Sequence, residues 1–133
     1  MKVYLIGYLN DTFEYLPRVK FILCEPFYLP ARNQDAPYEN IPHPFCESYF
    51  KFGNTSVSEE QIKGTKESIT LIQQGLREVA KEYNLTFVPF QDMFDSYAKK
   101  VPSSYLVWDN VHPTMVGHQL MADRWFEVVN KNF

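Results

Sequence analysis

The sequence predicts an α/β fold with a mostly parallel sheet, and three observations carry that prediction. Residues 19–27 (VKFILCEPF) form an apolar run without alternation, the pattern of a strand buried on both faces. A long stretch of helical periodicity follows after a loop. A second short apolar run, residues 86–90 (TFVPF), then leads into two more helical segments. Strands alternating with helices fold as a sheet covered by helices.

Taken in order, residues 2–9 (KVYLIGYL) are apolar and β-prone and read as a first strand. Residues 10–17 (NDTFEYLP) read as a turn or one short helix, stopped by Pro17. Only about ten residues join this first strand to the next, short for a parallel crossover, so it is expected to pair antiparallel. Residues 28–57 hold Pro, Asn, Asp, Gly and aromatics and read as one long loop, a length often given to lids and binding segments.

Ser58 and Gln61 then form an S-x-x-Q capping box. Ile62, Thr65, Ile69, Ile72, Leu76, Val79, Ala80 and Tyr83 follow at spacings of three and four, one face of a helix of about 25 residues. Gly64 and Gly75 weaken it, and Asn84 is a fitting C-terminal cap. Pro89 lacks a ladder donor, so the strand at 86–90 should end there. Residues 91–100 read as a short helix, and residues 103–108 (SSYLVW) as the segment delivering a loop at a strand's carboxyl end. Thr114 caps a closing helix whose buried face is Met121, Trp125, Val128 and Val129.

Composition narrows the function. The chain has 133 residues, one domain by length, with 45% hydrophobic and 22% charged residues, so it is expected to fold rather than stay disordered. A net charge of −3 with no basic stripe argues against nucleic acid as a partner. No apolar run reaches the roughly 18 residues of a membrane span. The first residues lack a small-residue cleavage site, and a cytoplasmic protein is expected. Cys24 and Cys46 are too few for a zinc site and read as two free thiols. No cofactor is implied.

The chemistry concentrates in residues 108–114, WDNVHPT. Asp109 stands three residues before His112, and Pro113 holds His112 in extended backbone ahead of a helix. A loop there can fold the Asp109 carboxylate under the imidazole. It would accept the Nδ1 proton, leave Nε2 as a base and steady the imidazolium. The spacing permits this geometry without demanding it, and a surface Asp beside an ordinary His is the plain alternative. A metal site from Asp109, His112 and His118 lacks a helical H-x-x-x-H pair and a third strong ligand, so none is expected.

Residues 105–129 (YLVWDNVHPTMVGHQLMADRWFEVV) resemble the C-terminal signature of the SGNH, or GDSL-type, ester hydrolases: Asp, two residues, His, Pro-Thr, Gly-His, then a helix with Ala and Trp. Residues 19–30 and 76–94 are similar to earlier segments of that family, in family order. The resemblance implies a three-layer α/β/α fold, flavodoxin-like, and hydrolysis of carboxylic esters or acetylated sugars by a Ser-His-Asp triad. It makes His112 the general base and Asp109 its orienting acid. Asn110 departs from the Gly common there, a change both residues' tolerance of positive φ accommodates.

The same resemblance exposes a larger departure. No Gly-Asp-Ser block occurs in the sequence, and the block carrying the oxyanion Gly is absent. The third family block has one echo, Gly7, Asn10 and Asp11 in IGYLNDTF, with one residue too many. Asn10 is thus an oxyanion candidate, unless this segment is the end of the helix that follows the block. Ser103 and Ser104 lie near the Asp-His pair in sequence but without a nucleophile turn. Cys24 is expected to point into the sheet, and Ser48, Ser56 and Ser58 fall in the loop or at the helix cap. The nucleophile is therefore unknown.

The resemblance implies a domain truncated at its N-terminus, with residues 19–26 an open apolar edge. Either residues 2–9 fill that gap, or the chain pairs with itself or with a complementing N-terminal fragment. Three functions stay open. The first is an ester hydrolase holding the acid–base half of its site, silent alone. The second is a non-catalytic binding module whose aromatic loop 38–52 grips a sugar or acyl ligand. The third is a self-sufficient esterase with another nucleophile.

Overall fold

The computed structural model describes residues 2–30, 59–108 and 112–132. Helix α1 (Lys2–Tyr15) leads to strand β1 (Ile22–Cys24). Helix α2 (Glu59–Glu82) precedes strand β2 (Thr86–Val88), then come α3 (Gln91–Tyr97), a 3-10 turn (Ser103–Tyr105) and α4 (Met115–Asn132). Residues 31–57 of the expected long loop and Ser58 of the capping box lie outside what is described.

β1 and β2 are parallel, pairing Ile22 with Thr86, Leu23 with Phe87 and Cys24 with Val88. Side chains alternate between faces along a strand, which assigns the flanking helices to layers. Val88 packs in a core with Phe27, Phe90, Met93, Phe94, Leu106 and Val107, closed by Val116, Leu120, Met121, Trp125 and Val128 of α4. Phe87 faces the other way, and the Arg77 guanidinium of α2 lies 4.8 Å over its ring. Helices α2 and α4 therefore cover opposite faces, a three-layer α/β/α arrangement with a parallel sheet, as expected.

Three readings are corrected. Residues 2–9 are not a strand but the first half of α1. Short apolar runs fit either element, and here Leu5, Leu9 and Phe13 recur every four residues, setting Leu9 fully buried on one side. α1 lies with α2: Lys2 Nζ reaches Glu78 at 2.8 Å, and Tyr83 Oη donates to Asn10 Oδ1 at 3.0 Å. The strand expected over 19–27 is three residues long. Cys24 does not point into a covered sheet; it is an exposed free thiol. No strand lies beyond β1 among the described residues.

Other expectations hold. The α2 periodicity gives a 24-residue helix. Asn84 ends it with φ of 52°, the left-handed cap that Asn tolerates, and Leu85 N–H closes back on the Ala80 carbonyl at 2.8 Å. β2 stops at Val88, before Pro89.

Candidate active site

His112 is carried by a short loop pinned at its base. Trp108 N–H donates to the His112 carbonyl at 2.7 Å, and Val107 and Pro113 form an antiparallel bridge. One residue further on, Thr114 N–H donates to the Leu106 carbonyl at 2.9 Å. Asp109 and residues 110 and 111, between these anchors in sequence, lie outside the described residues. His112 itself is exposed. Residues 103–108, expected to deliver the loop at a strand's carboxyl end, form a 3-10 turn at Ser103–Tyr105 followed by the single bridge of Val107 to Pro113.

The helix behind the loop fixes it further. The Thr114 hydroxyl donates to the Tyr105 carbonyl at 2.7 Å and accepts from Gly117 N–H at 3.1 Å. That is the expected N-cap, doubled by a tie back across the loop. Gly117 is buried, and a Cβ there would overlap the Leu106 carbonyl oxygen and press on Pro113. Only glycine lets α4 approach this closely. The Leu106 and Val107 side chains are 1% and 0% exposed, so the loop stands on a packed base rather than a mobile one.

A second polar cluster ties the carboxyl ends of both strands. Glu25 follows β1 directly, and its side chain is wholly buried. Its Oε2 accepts from Phe90 and Gln91 N–H at 2.8 and 2.9 Å, and its Oε1 pairs with Arg77. A buried carboxylate is tolerable only when matched this fully, and here it also meets the amino end of α3. Gln91 brackets the Tyr28 backbone, accepting from its N–H at 3.0 Å and donating to its carbonyl at 3.1 Å. Gln73 donates to the Pro26 carbonyl at 2.8 Å. The strand-following segment 25–28 is therefore held rigidly where sites in parallel sheets form. Sequence reading passed over Glu25; a carboxylate straight after a buried-type strand was the available signal.

Asn10 is placed elsewhere. It lies within α1 and is held by Tyr83, three residues before β2 begins. This is the amino end of the sheet, and it fits the helix-end reading of IGYLNDTF. His118 is exposed in the first turn of α4. Among the described residues, no group of three His, Cys, Asp or Glu is arranged for a metal ion. No helix among them is long and apolar enough to cross a membrane.

The model of the GDSL-like Lipase/Acylhydrolase family matches residues 16–125, and the chain belongs to that family. A curated acetylxylan esterase of Geobacillus stearothermophilus is 27% identical over 107 residues, covering 80% of this chain and 36% of that protein. Among solved structures, a protein of Parabacteroides merdae described as a GDSL-like lipase superposes with TM-score 0.70 at 28% identity, over 97% of this chain and 48% of its own. A catalytic mutant of the Geobacillus esterase gives TM-score 0.65 at 22% identity, over 96% and 45%. The chain thus spans about half the length of the solved relatives it matches. Three solved forms of that esterase are catalytic mutants, each replacing a serine, an aspartate or a histidine by alanine. Its aspartate and histidine stand three positions apart.

Proposed function

We propose that Asp109 and His112 are the acid–base half of a serine ester hydrolase acting on carboxylic esters or acetylated sugars. His112 Nε2 takes the proton of an attacking serine hydroxyl, and Asp109 holds Nδ1–H and steadies the imidazolium. The serine and its oxyanion donors belong to polypeptide other than these 133 residues. Without a nucleophile the pair activates nothing, so residues 1–133 alone are silent.

The observation that carries this reading is the spacing. The catalytic aspartate and histidine of the acetylxylan esterase are three positions apart, as Asp109 and His112 are. The anchored backbone on either side supports it, since Trp108 N–H is bonded to the His112 carbonyl. The acetyl-sugar assignment rests on that relative's substrate and on membership of the family.

The test is a chimera in which residues 1–133 replace the matching part of the acetylxylan esterase. It should hydrolyse p-nitrophenyl acetate, and His112→Ala should lower turnover by roughly 10³-fold or more with the fold intact. Residues 1–133 alone should show no turnover. A folded but inactive chimera, turnover indifferent to His112→Ala, or turnover by residues 1–133 alone overturns the proposal.

A further inference from the structure

We propose that Tyr28 is a substrate-binding residue of the ester site, its hydroxyl donating a hydrogen bond to a sugar oxygen of an acetylated saccharide. This rests on the function proposed above and deepens it, choosing sugar esters over simple carboxylic esters.

The first observation is a hydroxyl without a partner. Tyr28 is 5% exposed. Its hydroxyl makes no hydrogen bond among the described residues; the bonds that reach Tyr28 go to its backbone. A buried tyrosine ordinarily finds a partner for its O–H. Among the described residues, no side-chain nitrogen or oxygen sealed from the surface lacks a partner. The small part of Tyr28 that reaches the surface therefore includes its hydroxyl. Core packing does not account for the residue either. Phe27 and Leu29 belong to the apolar cluster around Val88, and Tyr28 between them does not. Burial also pushes the phenol above its ordinary value, which keeps it a neutral donor.

The second observation is its place. Tyr28 lies four residues past the end of β1, at the carboxyl end of the parallel pair, where ligands of such sheets bind. Its neighbour Leu29 shares a cluster with Leu106 and Val107, and Val107 bridges Pro113, the residue after His112. The segment carrying Tyr28 and the backbone carrying His112 thus stand on one base.

The third is how it is held. Gln91 accepts from Tyr28 N–H and donates to its carbonyl. Gln73 donates to the Pro26 carbonyl and, at 3.1 Å, to Gln91 Oε1. Two amide side chains fix the main chain at Tyr28 before any ligand arrives, which lowers the ordering cost of binding. A sugar chooses itself by chemistry. It presents neutral hydroxyl and ring oxygens that suit a neutral phenol, whereas the only oxygens of a simple acetate are those of the ester, which the oxyanion donors take.

The chimera described above tests this in two ways. Binding of an acetylated xylo-oligosaccharide is measured in its His112→Ala form, which does not turn the ligand over. There Tyr28→Phe, which removes one oxygen, should weaken Kd by about tenfold. With His112 intact, Tyr28→Phe should raise KM for the oligosaccharide by a similar factor, and lower kcat/KM for it at least about fivefold more than for p-nitrophenyl acetate. Unchanged Kd and KM would mean that the hydroxyl only meets solvent; in an active chimera that overturns the proposal and leaves the function standing. An equal loss on both substrates with a lowered melting temperature would make Tyr28 structural and overturns it too, as does a folded chimera that does not bind the oligosaccharide. A Kd weakened by Tyr28→Phe in a chimera that never turns over does the reverse: the Tyr28 contact stands and the function falls.

Discussion

Helices α1 and α4 lie in the layers on opposite sides of the sheet, and they are held very differently. α4 sets five partly buried side chains against a core in which Val88, Phe94 and Val107 are 0% exposed. α1 buries Leu9 and leaves Tyr4 and Tyr8 at 85% and 70% exposure. Both helices are rich in apolar residues. The difference is that the apolar stripe of α4 meets β2, α3 and Leu106 and Val107 at once, whereas among the described residues α1 meets α2 and, through Phe13, the ring of Phe21. Apolar content alone does not make a helix part of a core; a facing surface does. The anchored backbone around His112 belongs to the well-packed region.

This contrast can be broken at its strongest point first. Phe94 is fully buried and stacks on Phe27 with ring centroids 4.0 Å apart. Phe94→Ala should cost about 3–5 kcal/mol in urea unfolding, near the whole stability of a small domain. An intermediate loss is expected where α4 meets the loop. Gly117→Ala should cost about 1–3 kcal/mol and disturb the Trp108 near-ultraviolet signal, because the new methyl displaces the Leu106 carbonyl. At the weak end, Tyr8→Ser on α1 should shift the midpoint by less than about 0.5 kcal/mol. A Tyr8→Ser loss as large as that of Gly117→Ala would show that α1 is already covered and dissolve the contrast.

How much of this was legible in the sequence follows from the same physics. The α2 stripe, the Asn84 cap, the Pro89 stop and the Thr114 cap are local signals, and each appears where the residues put it. α1 was misread because KVYLIGYL is short and apolar, and a run of that length has no period long enough to separate helix from strand. β1 proved shorter than its apolar run because ladder pairing, not hydrophobicity, defines a strand, and its only described partner is itself three residues long. At the site, WDNVHPT marked the loop, but the anchors that hold it are tertiary. Neither the Leu106 carbonyl that excludes a side chain at position 117 nor the Glu25 carboxylate linking both strand ends can be read from spacing.

The central claim is that Asp109 orients His112, and the tautomer of His112 tests it in residues 1–133 alone. A free imidazole in water carries its neutral proton mainly on Nε2; a carboxylate at Nδ1 reverses that choice. Long-range ¹H–¹⁵N correlation spectra of the neutral ring should show His112 protonated on Nδ1, and Asp109→Asn should abolish that preference. A His112 ring protonated on Nε2, with a spectrum unchanged by Asp109→Asn, would contradict the account.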